Sequence, residues 1–344
     1  MIVREIQPGE GERWDAYVCK NPFSAPRHLY GWKSVMEEVF KSKTHYLLAE
    51  ENGNITGVLP LISISSLVAG KYITSLPGGM CADDDGTAGE LLEHAKAFVR
   101  AGNFRYLILR DSRIKWDLTD LTTDEEHVSF AIEIPSDLDL VKRAMKRQTR
   151  QHVNQASNNC LKAIYGLEKL SEYYPIYSKA MREFGNPTLG VKFFRSIANH
   201  IPGWADLITL YHEGEIVGGV IVAPYKQTVY GIWSGLLQQH YALQTPAFMF
   251  WEMINYAHRN GYQCVDMGRC RVNSGGYKFK KGFGGLVQPL YQQFYLNGIN
   301  RPPSVGEEMK EDLKYRIFVA VWNKVPLGLT EVLGPQIRKR MPFG

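Results

Sequence analysis

The sequence predicts an α/β fold made of two copies of one module, each a mixed sheet flanked by helices. Three observations carry that expectation. At 344 residues the chain favours two domains, taking roughly 150 residues for each. A strand, glycine turn and strand occur twice at a constant offset. After each copy an amphipathic helix and a buried-looking strand follow in the same order.

The first hairpin is Leu47–Ile62 and the second Ile208–Val222, with Gly53 matching Gly214 and Gly57 matching Gly218, both 161 residues apart. A loop later come the helices, Thr87–Ala101 and Pro246–Asn260, then the strands Phe104–Leu109 and Tyr262–Met267. Thr245 and Pro246 read as N-cap and first helical residue, and Gly102 and Gly261 as glycines closing the two helices. Arg110 and Arg269 follow the two strands, 159 residues apart. Between the copies lie a strand-like stretch, Val128–Ile134, and a helix from near Ser136 that carries Lys142, Arg143, Lys146, Arg147 and Arg150. The boundary is expected near Pro135, giving a first module at 1–135 and a second at 136–299. A helical pair, Glu172–Phe184 and Val191–Ile201, is split by Gly185-Asn-Pro187. The tail 300–344, with helical signal over Glu307–Trp322, is expected to pack on the first module.

Composition narrows the class. With 44% hydrophobic and 22% charged residues the chain is unlike collagenous, disordered or low-complexity sequences. No apolar run reaches the roughly 18 to 20 residues that span a bilayer, and Met1–Pro8 carries charge where a signal peptide is apolar, so a cytoplasmic protein is expected. The five cysteines never form C-x-x-C, and the nine histidines show no metal-ligand spacing, so no disulfide framework and no metal site are expected. A net charge of +5 is too dilute for a dedicated nucleic-acid binder, which leaves position to matter: Lys142–Arg150 and Arg338–Arg340 are the two basic clusters.

The copies differ most just after the matched strand. The first continues Asp111-Ser-Arg-Ile-Lys-Trp116. The second continues through Ser274-Gly-Gly-Tyr277-Lys-Phe279-Lys280-Lys281-Gly282-Phe283-Gly284. Glycines let backbone N–H groups approach an anion, and lysines supply countercharge. A flexible, solvated lysine-rich loop is the alternative that these residues alone leave open.

The stretch Val265-Asp266-Met-Gly268-Arg269, followed by Ser274–Gly284, resembles the FemAB-like (Fem family) transferases of the GNAT superfamily, which carry two GNAT-like (acyl-CoA N-acyltransferase) modules in one chain. Three further segments resemble the exosortase (PEP-CTERM)-associated branch: Trp32 with Leu59-Pro-Leu61 and Ser75-Leu-Pro77; Phe184-Gly-Asn-Pro187 before Phe193-Phe194; and Trp322–Leu327 with Leu333-Gly-Pro335. The resemblance runs through nearly the whole chain.

It implies transfer of an acyl or aminoacyl group to an amine of a cell-envelope, exopolysaccharide or peptidoglycan-type precursor. By analogy Lys280 lies near the transfer site, where a fixed cation stabilises an oxyanion or a donor phosphate. Asp266, which could orient or deprotonate the amine, and Tyr277 are the other catalytic candidates. Arg269, Phe279, Lys281, Gly282, Gly284, Trp32 and Trp233 are candidate substrate contacts. Arg147 and Arg150 are candidates for contact with tRNA or another phosphorylated donor, a solvated helix face being the alternative. No covalently bound cofactor is implied. The acyl donor is a co-substrate, aminoacyl-tRNA or acyl-CoA. The interval Gln238–Thr245 lacks the glycines of the usual pyrophosphate loop, which puts CoA in doubt. The acceptor is expected to be a small-molecule, lipid-linked or nucleotide-linked precursor with a free amine, with peripheral membrane contact through the basic, partly apolar tail as an option. Two rivals stay open: an acyl-CoA-dependent small-molecule N-acetyltransferase and a non-catalytic precursor-binding module.

Overall fold

Two residues of positive φ make each hairpin turn: Asn52 and Gly53 (φ 49° and 80°) in the first, Glu213 and Gly214 (51° and 87°) in the second. Such turns match the right-handed twist of the strands they join. In the computed structural model, which describes residues 1–66, 69–302 and 313–340, they sit at equivalent places of a repeated pattern.

The first half runs β1 (Ile2–Glu5), α1 (Gly11–Lys20), α2 (Gly31–Val35), β2 (Thr44–Glu51), β3 (Asn54–Ser66), β4 (Gly70–Ser75), β5 (Cys81–Ala82), α3 (Asp85–Ala101), β6 (Tyr106–Ser112) and β7 (Leu121–Glu133). Next come α4 (Leu138–Ala144), α5 (Arg147–Asn158), β8 (Lys162–Tyr165), α6 (Leu170–Glu183) and α7 (Val191–His200). The pattern then returns as β9 (Asp206–His212), β10 (Glu215–Tyr225), β11 (Thr228–Leu236), α8 (Thr245–Arg259) and β12 (Cys264–Asp266). The chain continues through β13 (Cys270–Arg271), α9 (Gly275–Lys281) and β14 (Leu286–Leu296) to α10 (Leu313–Trp322) and α11 (Leu327–Arg338).

All strands join one mixed sheet in the order β1-β2-β3-β4-β6-β14-β7-β12-β11-β10-β9-β8, with β5 beside β3 and β13 beside β7. In both halves an antiparallel meander (β2–β3–β4, β9–β10–β11) is followed by a crossover helix and a strand parallel to the third. One arrangement was not expected. β14, placed by the sequence in the second module, lies between β6 and β7 and is antiparallel to both. A strand edge buried in a sheet must have its N–H and C=O groups paired, and β14 supplies that pairing.

Alternation along β2 and β3 divides the packing. Leu47, Ala49, Leu59 and Leu61 bury against α3, while Leu48 and Val58 bury against Trp14 and Val18 of α1. In the second half α8 is apolar almost all round and packs between the sheet and α5, as a helix does when it lies inside the core. A third core joins the halves: Trp32, Ile64 and Tyr72 pack with Tyr173 and Tyr177 of α6, Phe193 of α7 and Ile221 of β10.

Several local expectations are corrected. Gly102 has φ −87°; the left-handed residue closing α3 is Asn103 (φ 51°), and Phe104 N–H returns to Val99 O at 3.0 Å. Gly261 (φ 75°) does close α8 in that way. Thr245 is not a cap: α8 begins after Gln244 (φ 66°), and the Thr245 hydroxyl donates to His240 O. Of the tail, residues 303–312, including Glu307, lie outside the described residues. Its described helices pack on the second half rather than the first, because the 185–190 loop presents acceptors and space. Trp322 Nε1 donates to Asn186 O (3.2 Å), Arg182 Nη1 donates to Val325 O (3.1 Å), and Gly334 lies against Thr188. Among the described residues no helix is long and apolar enough to cross a membrane.

Candidate active site

The parallel strand pairs set the site. β11 and β12 pair only from Thr228↔Cys264 to Tyr230↔Asp266; beyond that β12 ends, and β11 continues with Ile232 bulged against β10. At the separation Gly231 and Gly268 face each other: a Cβ on Gly268 (φ 78°) would lie 2.6 Å from Gly231 O. A cavity of about 890 Å³ opens there, walled by both halves: Met249, Phe250 and Lys280 on one side, Arg110, Arg113 and His127 on the other. That volume suits a substrate-sized ligand.

Two ion pairs cross between the halves at this point. Arg113, from the segment after β6, pairs with Asp266, which is almost fully buried. Arg269, after β12, lies 3.4 Å from Asp111, to which Gln292 Nε2 also donates (2.5 Å). Although burial opposes ionisation, the guanidinium groups of Arg269 and Arg110 hold the Asp111 carboxyl below its ordinary value. The second oxygen of Asp266 accepts from Gly268 N–H (2.7 Å). Asp266 therefore pins the strand end and the Gly268 turn, and its partner is Arg113 rather than the neighbouring Arg269.

The glycine-rich stretch is a short helix, not a solvated loop. Ser274 caps α9, its hydroxyl accepting from Tyr277 N–H (3.1 Å). One turn on, Lys280 lies over Phe250 (5.7 Å) and donates to Gly268 O (2.7 Å) and Arg269 O (3.2 Å). Burial pushes its pKa down from the ordinary lysine value. An ammonium has three protons, so a further donor is available to a ligand in the cavity.

The predicted residues divide accordingly. Lys280, Asp266, Arg269, Phe279 and Trp233 line the cavity, and Trp32 lines a small pocket adjoining it. Tyr277 does not: its ring packs edge-on against Phe130 (5.2 Å). Lys281 is exposed above Tyr277. Gly282 and Gly284 serve packing, because side chains there would collide with Thr149 and with Ala144 O, and Lys146 N–H donates to Gly282 O (2.8 Å). Arg147 is exposed and Arg150 donates to Lys142 O (3.3 Å); neither reaches the cavity, since α5 turns that face to solvent. Sequence reasoning missed Arg27, Arg113 and His127. Arg113 stood within the quoted Asp111–Trp116 segment, but nothing in the segment named its partner. Among the described residues no cluster of metal-ligating side chains forms.

Two buried histidines flank the first-half wall. His28 Nδ1 accepts from Ala25 N–H (2.8 Å), so its proton sits on Nε2, toward Gly79 O (3.2 Å). Burial holds its pKa down at about 4, and burial together with Arg269 does the same for His127. Between pH 6.5 and 4 the unfolded chain takes up protons that the folded one refuses, so the stability contributed above pH 6.5 is lost as pH falls toward 4. Thermal melts across this range are expected to show a declining Tm, and a smaller slope in His28→Asn; an equal slope would remove His28 from the account.

Residues 141–281 match the family model described as acetyltransferase (GNAT) domain. No curated protein matches the chain in sequence. The fold is similar to the crystal structure of FemX, with a TM-score of 0.68, 13% identity, and 86% of this chain and 98% of that chain covered. It is also similar to L-PGS from Bacillus licheniformis, at a TM-score of 0.58, 12% identity, and 99% and 100% coverage. A tandem GNAT protein from the clavulanic acid biosynthesis pathway gives a TM-score of 0.56, 10% identity, and 88% and 99% coverage.

Proposed function

With residues 141–281 a GNAT acetyltransferase domain inside a FemAB-like tandem fold, we propose that the chain transfers an acyl or aminoacyl group from an activated ester or thioester to an amine. The observation that carries the reading is Lys280. It is a half-buried ammonium anchored on two backbone carbonyls at the strand separation, with a donor left for the cavity.

In this reading the neutral amine attacks the donor carbonyl, the N–C bond forms, and Lys280 stabilises the oxyanion. The carbonyl reforms as the C–O or C–S bond breaks, and the proton released from the amine passes to solvent or to the departing oxygen or sulfur. Asp266 has both oxygens engaged, so it acts as a positioning residue, holding Gly268 and through it Lys280. Cavity walls from both halves suit two substrates that meet at the splay.

The GNAT domain supports an acyl-CoA donor. One observation favours the second reading, an aminoacyl ester such as aminoacyl-tRNA: Gln238–Leu243 is a short 3₁₀ helix without glycine, where a pyrophosphate-gripping loop would be needed. The acceptor we assign is an amine on a cell-envelope or exopolysaccharide-type precursor, lipid-linked or nucleotide-linked. Exposed Ile317, Val321, Leu329 and Val332 on α10 and α11, beside Arg316, Lys324 and Arg340, support contact with an anionic membrane where a lipid-linked acceptor would be found. Thermal shift with acetyl-CoA and with aminoacyl-tRNA, followed by a labelled-transfer assay on amine panels, tests the proposal. The true donor is expected to raise Tm and yield labelled amide. Binding without transfer across both donors would favour a precursor-binding module.

A further inference from the structure

A second, smaller pocket of about 60 Å³ adjoins the cavity on the first-half side. Its walls are largely apolar, among them Met36, Ile62 and Phe193, yet three guanidinium side chains, Arg27, Arg110 and Arg338, line it. Among its described lining residues there is no carboxylate.

Arg110 is only 6% exposed, and Arg27 is held with its guanidinium over Trp32 (5.7 Å) and Trp233 (5.1 Å). The guanidinium groups of Arg27 and Arg110 make no hydrogen bond or ion pair with another described residue. The carboxylate whose field reaches both, Asp111, is already engaged by Arg269 and Gln292. Burial pushes both arginines down to about 10; Arg110 adds to the effect on Arg27, as Arg269 does to that on Arg110, and both remain charged at neutral pH. A buried, unpaired guanidinium is costly, and two on one pocket repel. Such a cost is tolerated at binding sites, where a ligand supplies the missing charge. Planar guanidinium groups match the oxygens of a phosphoryl group, and two of them neutralise a dianion.

We propose that the Arg27–Arg110 pocket is an anion subsite that holds a phosphoryl group of the acceptor while its amine reaches toward Lys280. The second clause rests on the transferase reading; the anion site itself does not. The pocket leaves room for a phosphoryl-sized group, since one water needs only about 10–15 Å³ of the same kind of volume.

Calorimetry and thermal shift with inorganic phosphate and pyrophosphate, at constant ionic strength, test the site in the wild type and in Arg27→Met, Arg110→Met and Lys280→Met. Expected are a pyrophosphate-dependent rise in Tm for the wild type and Lys280→Met, and at least tenfold weaker binding in the two arginine variants. Without anion, Arg110→Met is expected to melt at or above the wild-type temperature, because a buried like-charge repulsion is relieved. An arginine kept for structure would instead lower Tm and leave the anion response intact. That result, or an equal response in all four proteins, would overturn the site. In the transfer assay, inhibition by pyrophosphate competitive with the acceptor supports a phosphoryl group carried by that substrate; inhibition independent of acceptor concentration overturns that assignment. Anion binding lost in Arg110→Met with turnover kept in Lys280→Met would sink the transfer site and leave the pocket standing.

Discussion

Replacing Lys280 by Met is expected to lower kcat/KM for transfer by about 10² to 10³, the range found when one donor to a developing oxyanion is removed. The side chain keeps its length and its contact with Phe250, so the loss falls on charge and on the two hydrogen bonds to Gly268 O and Arg269 O. A pH profile separates these. Because burial lowers its pKa, Lys280 loses its charge as pH rises through a value below that of an ordinary lysine. Activity in the wild type is therefore expected to decline on the alkaline side before other lysines titrate, and the decline is expected to vanish in the residual activity of Lys280→Met. Unchanged turnover in a variant with a wild-type circular dichroism spectrum would end the assignment.

Arg113→Met is expected to have the largest effect on stability. Asp266 is 3% exposed, and removing its guanidinium partner leaves a buried carboxylate with one backbone N–H. Breaking a buried pair from one side costs about 3–5 kcal/mol, which for a chain of this length corresponds to a fall in Tm of about 4–7 °C. Arg113 also bonds Ser129 and Gln288 of the central strands, so the loss loosens the seam between the halves. Arg113→Met combined with Asp266→Leu is expected to recover much of the deficit, since no charge is then left unpaired. Denaturant melts of the single and double variants measure this; an additive double variant would mean that the pair does not act as a unit.

What could be read from the sequence was local. Gly53 and Gly214 announce their turns because the conformation excludes most other residues, α3 announces itself by apolar periodicity, and α8 by a long apolar run closed at Gly261. Lys280 stood out because a recognisable stretch surrounds it. What stayed hidden depends on partners distant in the chain. Arg113 and Asp266 are 153 residues apart, and no spacing rule links them. Tyr277 carried the motif's promise, but a capped helix turns its ring onto Phe130. Arg27 lay in an unremarkable segment and acquires its meaning from Trp233, on a strand of the other half.

The place of β14 has a consequence for synthesis. The partner that covers β6 is residues 286–296, so for the time taken to translate some 180 further residues, about 10 to 40 s at ordinary elongation rates, that edge has no native neighbour. β6 and β7, both antiparallel to β14, run parallel to each other on either side of a gap that only the last strand fills, so the middle of the sheet closes only once residues 286–296 have been made.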